Sequence, residues 1–293
     1  MGIANSIKKR IIKYATKVYD PLVDITIGNQ TIKIPLSHQL REIVKLYPEY
    51  NYNLPRIVKY LEDKINDLKV IDIGANVGDT VAFIRNFSEV PILCIDGEDN
   101  FLNILKQNIA QYKDVSVCKA LVGAENKTEN VKLVSGKGTA FVEKSSQPVT
   151  VRTLENILEE FSDFKNSKIL KSDTDGFDTI ILRASADFLK RVQPILFFEF
   201  DPYLISRNND DPFAFIDFLK QCGYGYLIFY VNNGDYLLST SIDDPAVSQL
   251  IHYFSGRQLH MFTDLCAFSQ NDAAFYELVK NKEIDHFKKV RGY

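Results

Sequence analysis

The segment Val70-Ile71-Asp72-Ile73-Gly74-Ala75-Asn76-Val77-Gly78-Asp79-Thr80 carries the residue types and spacing best suited to grip a ligand. Its first residues read as a buried strand, a tight turn opens at Gly74, and a helix begins near Asp79. Glycines at 74 and 78 leave backbone open that a Cβ would obstruct, and free amides at a helix start favour an electron-rich group. Such a turn alone is shared by many nucleotide-binding folds. The next strand ends in Ile95-Asp96, 22 residues beyond Gly74. A carboxylate there can accept both ribose hydroxyls of an adenosine group. Glu98 competes for that place, and Asp72 either holds the loop or meets an amino group of the ligand.

The turn also discriminates between ligands. A pyrophosphate fingerprint wants G-x-G-x-x-G, whereas this turn reads G-A-N-V-G-D and sets Asp79 where the pyrophosphate would lie. S-adenosylmethionine has no phosphate and carries an ammonium and a sulfonium, so an acidic turn suits it better than NAD. The competing reading makes Asp79 a plain helix cap. The expected cofactor contacts are Asp72, Gly74, Ala75, Asn76, Gly78, Asp79, Thr80, Asp96 and Glu98, joined by Leu121 from the third strand and Asp173 after the fourth.

Methyl transfer is an in-line displacement that needs an aligned acceptor and a place for its proton. The groups that serve it belong at the carboxyl ends of the strands. Asp173 is expected there as general base, acceptor-orienting group or metal ligand. Asp173, Asp175 and Glu199 together would suit a hard divalent ion, yet the Asp173–Gly176 turn serves equally as a helix cap, and no metal is assigned. His38 is the histidine best placed to act as base, against a packing role. His252 and His260 read as structural. Tyr47, Tyr50, Tyr52 and Tyr203 are candidate sugar-stacking platforms, although most aromatic residues simply fill cores.

The segment 70–80 resembles the first motif of the FkbM methyltransferases. Ile169–Asp178 (ILKSDTDGFD) resembles that family's "IKIDVEGAE" block, with Asp175 and Asp178 in place of its glutamates. Ile180–Ser185 and Gln193–Glu199 continue the likeness, which covers about residues 68–200. Asp96-Gly97 stands where the family usually has Glu-Pro, and Ser185 replaces a common glycine. The looser match of Ser37–Leu40 and Tyr47–Pro55 is to members linked with bacterial glycan synthesis. The resemblance implies S-adenosylmethionine-dependent O-methylation, often of a sugar hydroxyl in a surface polysaccharide or a natural product. It implies a Rossmann-like class I α/β fold, with a mostly parallel seven-stranded sheet, an antiparallel last strand and an N-terminal cap. An NAD-type oxidoreductase and a non-catalytic S-adenosylmethionine-binding module are the rival readings.

The elements that must position these residues are legible as apolar runs alternating with helical patterns. Strands are expected at 69–73, 91–95, 115–122, 168–171, 194–200, 224–231 and 261–268. A hairpin turn is expected at Asn232-Asn233-Gly234, and a polar β excursion over 124–148. Continuous apolar strands between helices imply a parallel sheet covered on both faces. Residues 1–61 are expected to form a helical or mixed cap, and 62–293 the main domain with a closing helix.

Composition narrows the partners. A net charge of −3 argues against chain-wide nucleic acid binding. No apolar run is long enough to cross a bilayer, and no signal peptide is visible. Cys94, Cys118, Cys222 and Cys266 form no CxxC pair, which fits a reducing cytoplasmic compartment. The basic amphipathic stretch Ile7–Tyr19 either docks on its own domain or rests on anionic lipid at the inner membrane surface. The acceptor is expected to be a small molecule or glycan.

Overall fold

A computed structural model describes residues 16, 18–136, 139–174, 176–256 and 261–292. The basic helix expected over 7–19 lies almost wholly outside these residues, as do Asp175 and His260.

The chain opens with a hairpin of β1 (Leu22–Ile27) and β2 (Gln30–Pro35), followed by helices Leu40–Leu46 and Asn53–Leu61. The main sheet then takes β3 (Val70–Ile73), β4 (Ile92–Asp96), β5 (Val115–Lys119), β9 (Ile169–Ser172), β10 (Ile195–Phe200), β11 (Tyr224–Val231), β12 (Tyr236–Ser241) and β13 (Thr263–Ser269). Their spatial order is β12-β11-β13-β10-β9-β3-β4-β5. From β5 to β10 the strands are parallel, and β13 runs antiparallel to both β10 and β11. Every residue of β3, β9 and β10 is buried, as strands covered on both faces require.

The sheet has eight strands rather than the expected seven. The turn Asn232-Asn233-Gly234 is tight enough to fold Tyr236–Ser241 back onto Tyr226–Tyr230 as β12. The third expected strand also divides. The Ala120 N–H bonds to the Asp96 carbonyl at 3.0 Å, after which β6 (Leu121–Val122) leaves the main sheet. With β7 (Lys127–Gly136) and β8 (Thr139–Arg152) it forms a separate three-stranded sheet in the expected excursion, and Leu121 sits opposite Val151.

Packing ties the N-terminal elements to the sheet. Ile25, Ile27, Ile32 and Ile34 of the hairpin share a buried cluster with Ala82 and Phe83 of the helix Asp79–Ile84 and with Phe101 and Ile104 of the helix Asp99–Ile109. Each such aliphatic side chain contributes about 1.5–3 kcal/mol on burial. Leu54, Ile57, Val58 and Leu61 join a second cluster with Val70, Ile92 and Val279, the last from the C-terminal helix Ala273–Arg291. The loop 47–52 is clamped from three sides. Arg56 makes a bidentate pair with buried Glu283 (both 2.8 Å) and reaches Glu49 with its remaining nitrogen at 2.8 Å. His286 Nε2 lies 2.7 Å from the same Glu49 carboxylate. At Gly234, with φ +91°, a Cβ would stand 2.1 Å from the Glu49 carbonyl oxygen, so the hairpin turn sits directly on the loop.

Candidate active site

The glycine turn lies at the carboxyl end of β3. Gly74 and Ala75 donate their N–H groups to the Ile95 carbonyl, which joins the turn to β4. Gly74 has φ +78°, and a Cβ there would meet the Asp173 carbonyl oxygen at 2.1 Å; at Gly78 it would meet Leu105 Cδ1 at 2.6 Å. These glycines are therefore required by chain packed on chain, a constraint distinct from the ligand approach expected for them. The Ala75 and Thr80 side chains are buried, so any contact from Ala75 comes through its backbone.

Asp96 closes this corner. One carboxylate oxygen accepts the Asn76 N–H and the other accepts the Glu98 N–H, each at 2.8 Å. Burial, more than any other cause, pushes the Asp96 pKa up to about 6. Glu98 has a structural job of its own. It caps the helix Asp99–Ile109, accepting the Phe101 N–H at 2.6 Å and the Asn100 side-chain amide at 2.8 Å. Both its oxygens are engaged, and the side chain is buried.

A charged cluster forms one strand over. Asp72 and Lys171 are direct neighbours in the β3–β9 register, and their side chains pair at 3.0 Å although both are buried. Lys171 also lies 3.5 Å from Asp173, whose side chain is 49% exposed at the tip of β9. Burial alone would depress the Lys171 pKa, but the charges of Asp72, Asp173 and Asp79 more than reverse it and hold the ammonium. Asp79 rises to about 6, chiefly through burial and opposed by Lys171. Asp178 accepts the hydroxyls of Ser172 (2.6 Å) and Thr174 (2.9 Å), which fixes the turn after β9. Sequence alone singles out neither Lys171 nor Asp264, and it offers Tyr50 only as a stacking platform and Asp178 only as part of a motif. Asp264 stands opposite Glu199 across β13 and β10.

Burial above all, then the charge of Asp173, drives the Asp264 pKa up to about 8, against opposing effects from Lys171 and Asn53. An unfolded aspartate titrates near 3.9. The folded form thus holds this proton more tightly, and the associated stability is lost as pH rises through about 8. Asp264→Asn is expected to exceed the native protein in stability at pH 9 by on the order of 2 kcal/mol, with the gap closing towards pH 4. Urea melts across that range check it, and a gap independent of pH would refute the assignment.

The remaining expected residues separate. His38 is buried beside the glycine turn, where its ring contacts the Asn76 side chain and packs edge-on to Phe101 at 6.4 Å. Its Nδ1 accepts the Leu40 N–H at 3.2 Å, and burial lowers its pKa. One ring nitrogen is thus engaged by a backbone amide, an arrangement that suits a positioning role as well as the expected role of general base. Glu199 is buried within β10. Tyr203 is 42% exposed on the helix Pro202–Arg207. Among the described residues no three His, Cys, Asp or Glu side chains gather as a metal centre would need.

The sheet order, with a glycine turn after its first parallel strand and carboxylates at the neighbouring tips, defines a Rossmann-like fold of the class I methyltransferase type. The family model described as the methyltransferase FkbM domain matches residues 72–226, more than half of the sequence, and the chain belongs to that family. It is a methyltransferase, and S-adenosylmethionine is its cofactor. The site accords with that cation: Asp72, Asp79, Asp96 and Asp173 surround a turn that lacks Cβ atoms at two of its positions. No curated protein matches the sequence.

Solved structures with similar topology include a methyltransferase FkbM from Methylobacillus flagellatus, 14% identical with a TM-score of 0.39, covering 78% of this chain and 54% of that one. A precorrin-6y C5,15-methyltransferase from Geobacter metallireducens is 13% identical with a TM-score of 0.39, over 73% and 86%. Pyrococcus horikoshii TYW2, in complex with MeSAdo, is 10% identical with a TM-score of 0.43, over 90% and 84%.

Proposed function

We propose that the protein transfers a methyl group to a sugar hydroxyl during assembly of a surface glycan, on the cytoplasmic side of the membrane. The observation that carries this reading is Asp173, a half-exposed carboxylate at the tip of β9 whose carbonyl abuts Gly74 and whose side chain leans on Lys171. Bound S-adenosylmethionine supplies an activated methyl. In this reading Asp96 accepts the ribose hydroxyls through lone pairs left over from its two backbone contacts. The turn amides and Asp79 face the amino-acid end of the cofactor. Asp72 acts indirectly, by holding Lys171, which in turn contacts Asp173.

Asp173 accepts the proton of the acceptor hydroxyl, or a hydrogen bond from it, which turns an oxygen lone pair towards the methyl. Lys171, 3.5 Å away, orients the Asp173 carboxylate towards that bond. Hydroxyl proton transfer by a positioned group contributes roughly 10²–10⁴-fold. Asp173→Asn is expected to lower turnover by about 10²-fold or more, while calorimetry finds S-adenosylhomocysteine affinity little changed. Transfer of labelled methyl to a panel of glycan precursors tests the function itself. A protein that binds S-adenosylhomocysteine yet labels no saccharide would be a binding module or an enzyme for another acceptor. Turnover unaffected by Asp173→Asn would remove that residue from the mechanism.

A further inference from the structure

A cavity of about 480 Å³ opens between β1, the helix Leu40–Leu46 and the loop 47–52. Sites of roughly 300–1,000 Å³ hold small ligands. Tyr47, Tyr50, Tyr52 and Phe83 supply its aromatic walls. Tyr52 is set edge-on to Phe83 at 5.0 Å, and Phe83 belongs to the helix that follows the glycine turn. Such flat faces suit the C–H surface of a sugar ring, with hydroxyls left for polar contacts.

Arg41 and Lys45, one turn apart on the same helix, also line the cavity. Neither has a carboxylate partner among the described residues. The cavity's carboxylate, Asp24, is already paired with Lys33 at 3.0 Å. The cavity therefore carries two uncompensated cations beside its aromatic walls. Tyr50 connects it to the chemistry: its phenol is pushed well above the usual range by burial first and then by Asp173, Asp79 and Asp264. One side chain thus lines the cavity and feels the charge of the carboxylates at the strand tips.

We infer that this cavity is the acceptor subsite, and that the acceptor is a saccharide bearing an anionic group, a phosphate or a carboxylate. This rests on the proposed methyl transfer to a sugar. The tyrosines take the ring, and Arg41 with Lys45 takes the anion, the guanidinium offering a two-pronged donor for either group. The hydroxyl to be methylated then points past Tyr50 to Asp173.

Titrate the full chain, at fixed ionic strength, with glucose, glucose 1-phosphate, glucuronate and inorganic phosphate, and separately with S-adenosylhomocysteine. At least one charged sugar is expected to bind tenfold or more tighter than glucose, and tighter than phosphate alone. The stronger of the two charged sugars identifies the anion. Arg41→Ala with Lys45→Ala should erase the preference while leaving S-adenosylhomocysteine affinity within twofold, and Tyr47→Ala should weaken all the sugars together. Equal binding of glucose and both charged sugars, phosphate as tight as the sugars, or a preference that survives the double variant would each overturn the inference. Charged-sugar selectivity without S-adenosylhomocysteine binding would spare the cavity and overturn the methyl-transfer reading instead. Cofactor binding without saccharide binding would do the reverse.

Discussion

Alanine at position 74 is expected to cost the protein its affinity for S-adenosylhomocysteine together with a large part of its stability. Gly74 holds φ +78°, a conformation that costs an L-residue about 1–3 kcal/mol. The new Cβ would also stand 2.1 Å from a backbone atom, the Asp173 carbonyl oxygen, which has no rotamer with which to yield. Relief requires the turn and the tip of β9 to part, so the loss should reach roughly 2–4 kcal/mol. The parting also separates the groups proposed to hold the cofactor from those proposed to hold the acceptor. Gly256 offers the control: its φ is −83° and the nearest atom to an added Cβ is 3.8 Å away. Urea melts and cofactor calorimetry on both variants check this. A Gly74→Ala protein as stable and as tight-binding as Gly256→Ala would disprove the account of the turn.

Lys171→Met should be at least as damaging, for an electrostatic reason. Asp72 is fully buried and its ionic partner is 3.0 Å away. Removing one member of such a pair typically costs about 3–5 kcal/mol, because a lone charge remains in the interior. The stranded carboxylate must hold a proton to be tolerated, which raises its folded pKa above the unfolded value near 3.9. Its stabilising contribution is then present at low pH and lost as pH rises. The variant should accordingly lose less stability at pH 5 than at pH 8 in thermal melts. Adding Asp72→Asn should restore most of the deficit, since a neutral pair of similar shape needs no counter-charge. A single variant whose deficit is the same at both pH values would contradict the buried pair.

The main sheet was legible because strands buried on both faces are written as unbroken apolar runs, as in Pro194–Phe200. The turn after β3 was legible for a related reason: glycine spacing survives translation into backbone geometry. What escaped notice depends on register. Lys171 reads as a lone charge interrupting an apolar strand, and only alignment of β3 with β9 shows that it faces Asp72. Asp264 likewise looks like an ordinary strand-end residue until β13 is laid antiparallel to β10. Glu98 was a closer matter. An acidic residue three positions before Phe101 fits a helix cap as well as a ribose ligand, and the backbone hydrogen bond shows the cap. Tyr50 reads in sequence only as a stacking candidate, since no local pattern reveals that a residue 23 positions before Ile73 feels the charge of Asp173 and Asp79.

The clamp on the loop 47–52 has a temporal meaning. Glu49 precedes His286 by 237 positions, and Arg56 precedes Glu283 by 227. Contacts so remote in sequence carry a closure entropy, and they cannot exist until the chain through Glu283 and His286 has left the ribosome. A nascent chain can thus pair β3 with β4 and build the first half of its sheet while the tyrosine loop still lacks its anchor. Maturation of the aromatic wall is the late event, coupled to docking of the last helix.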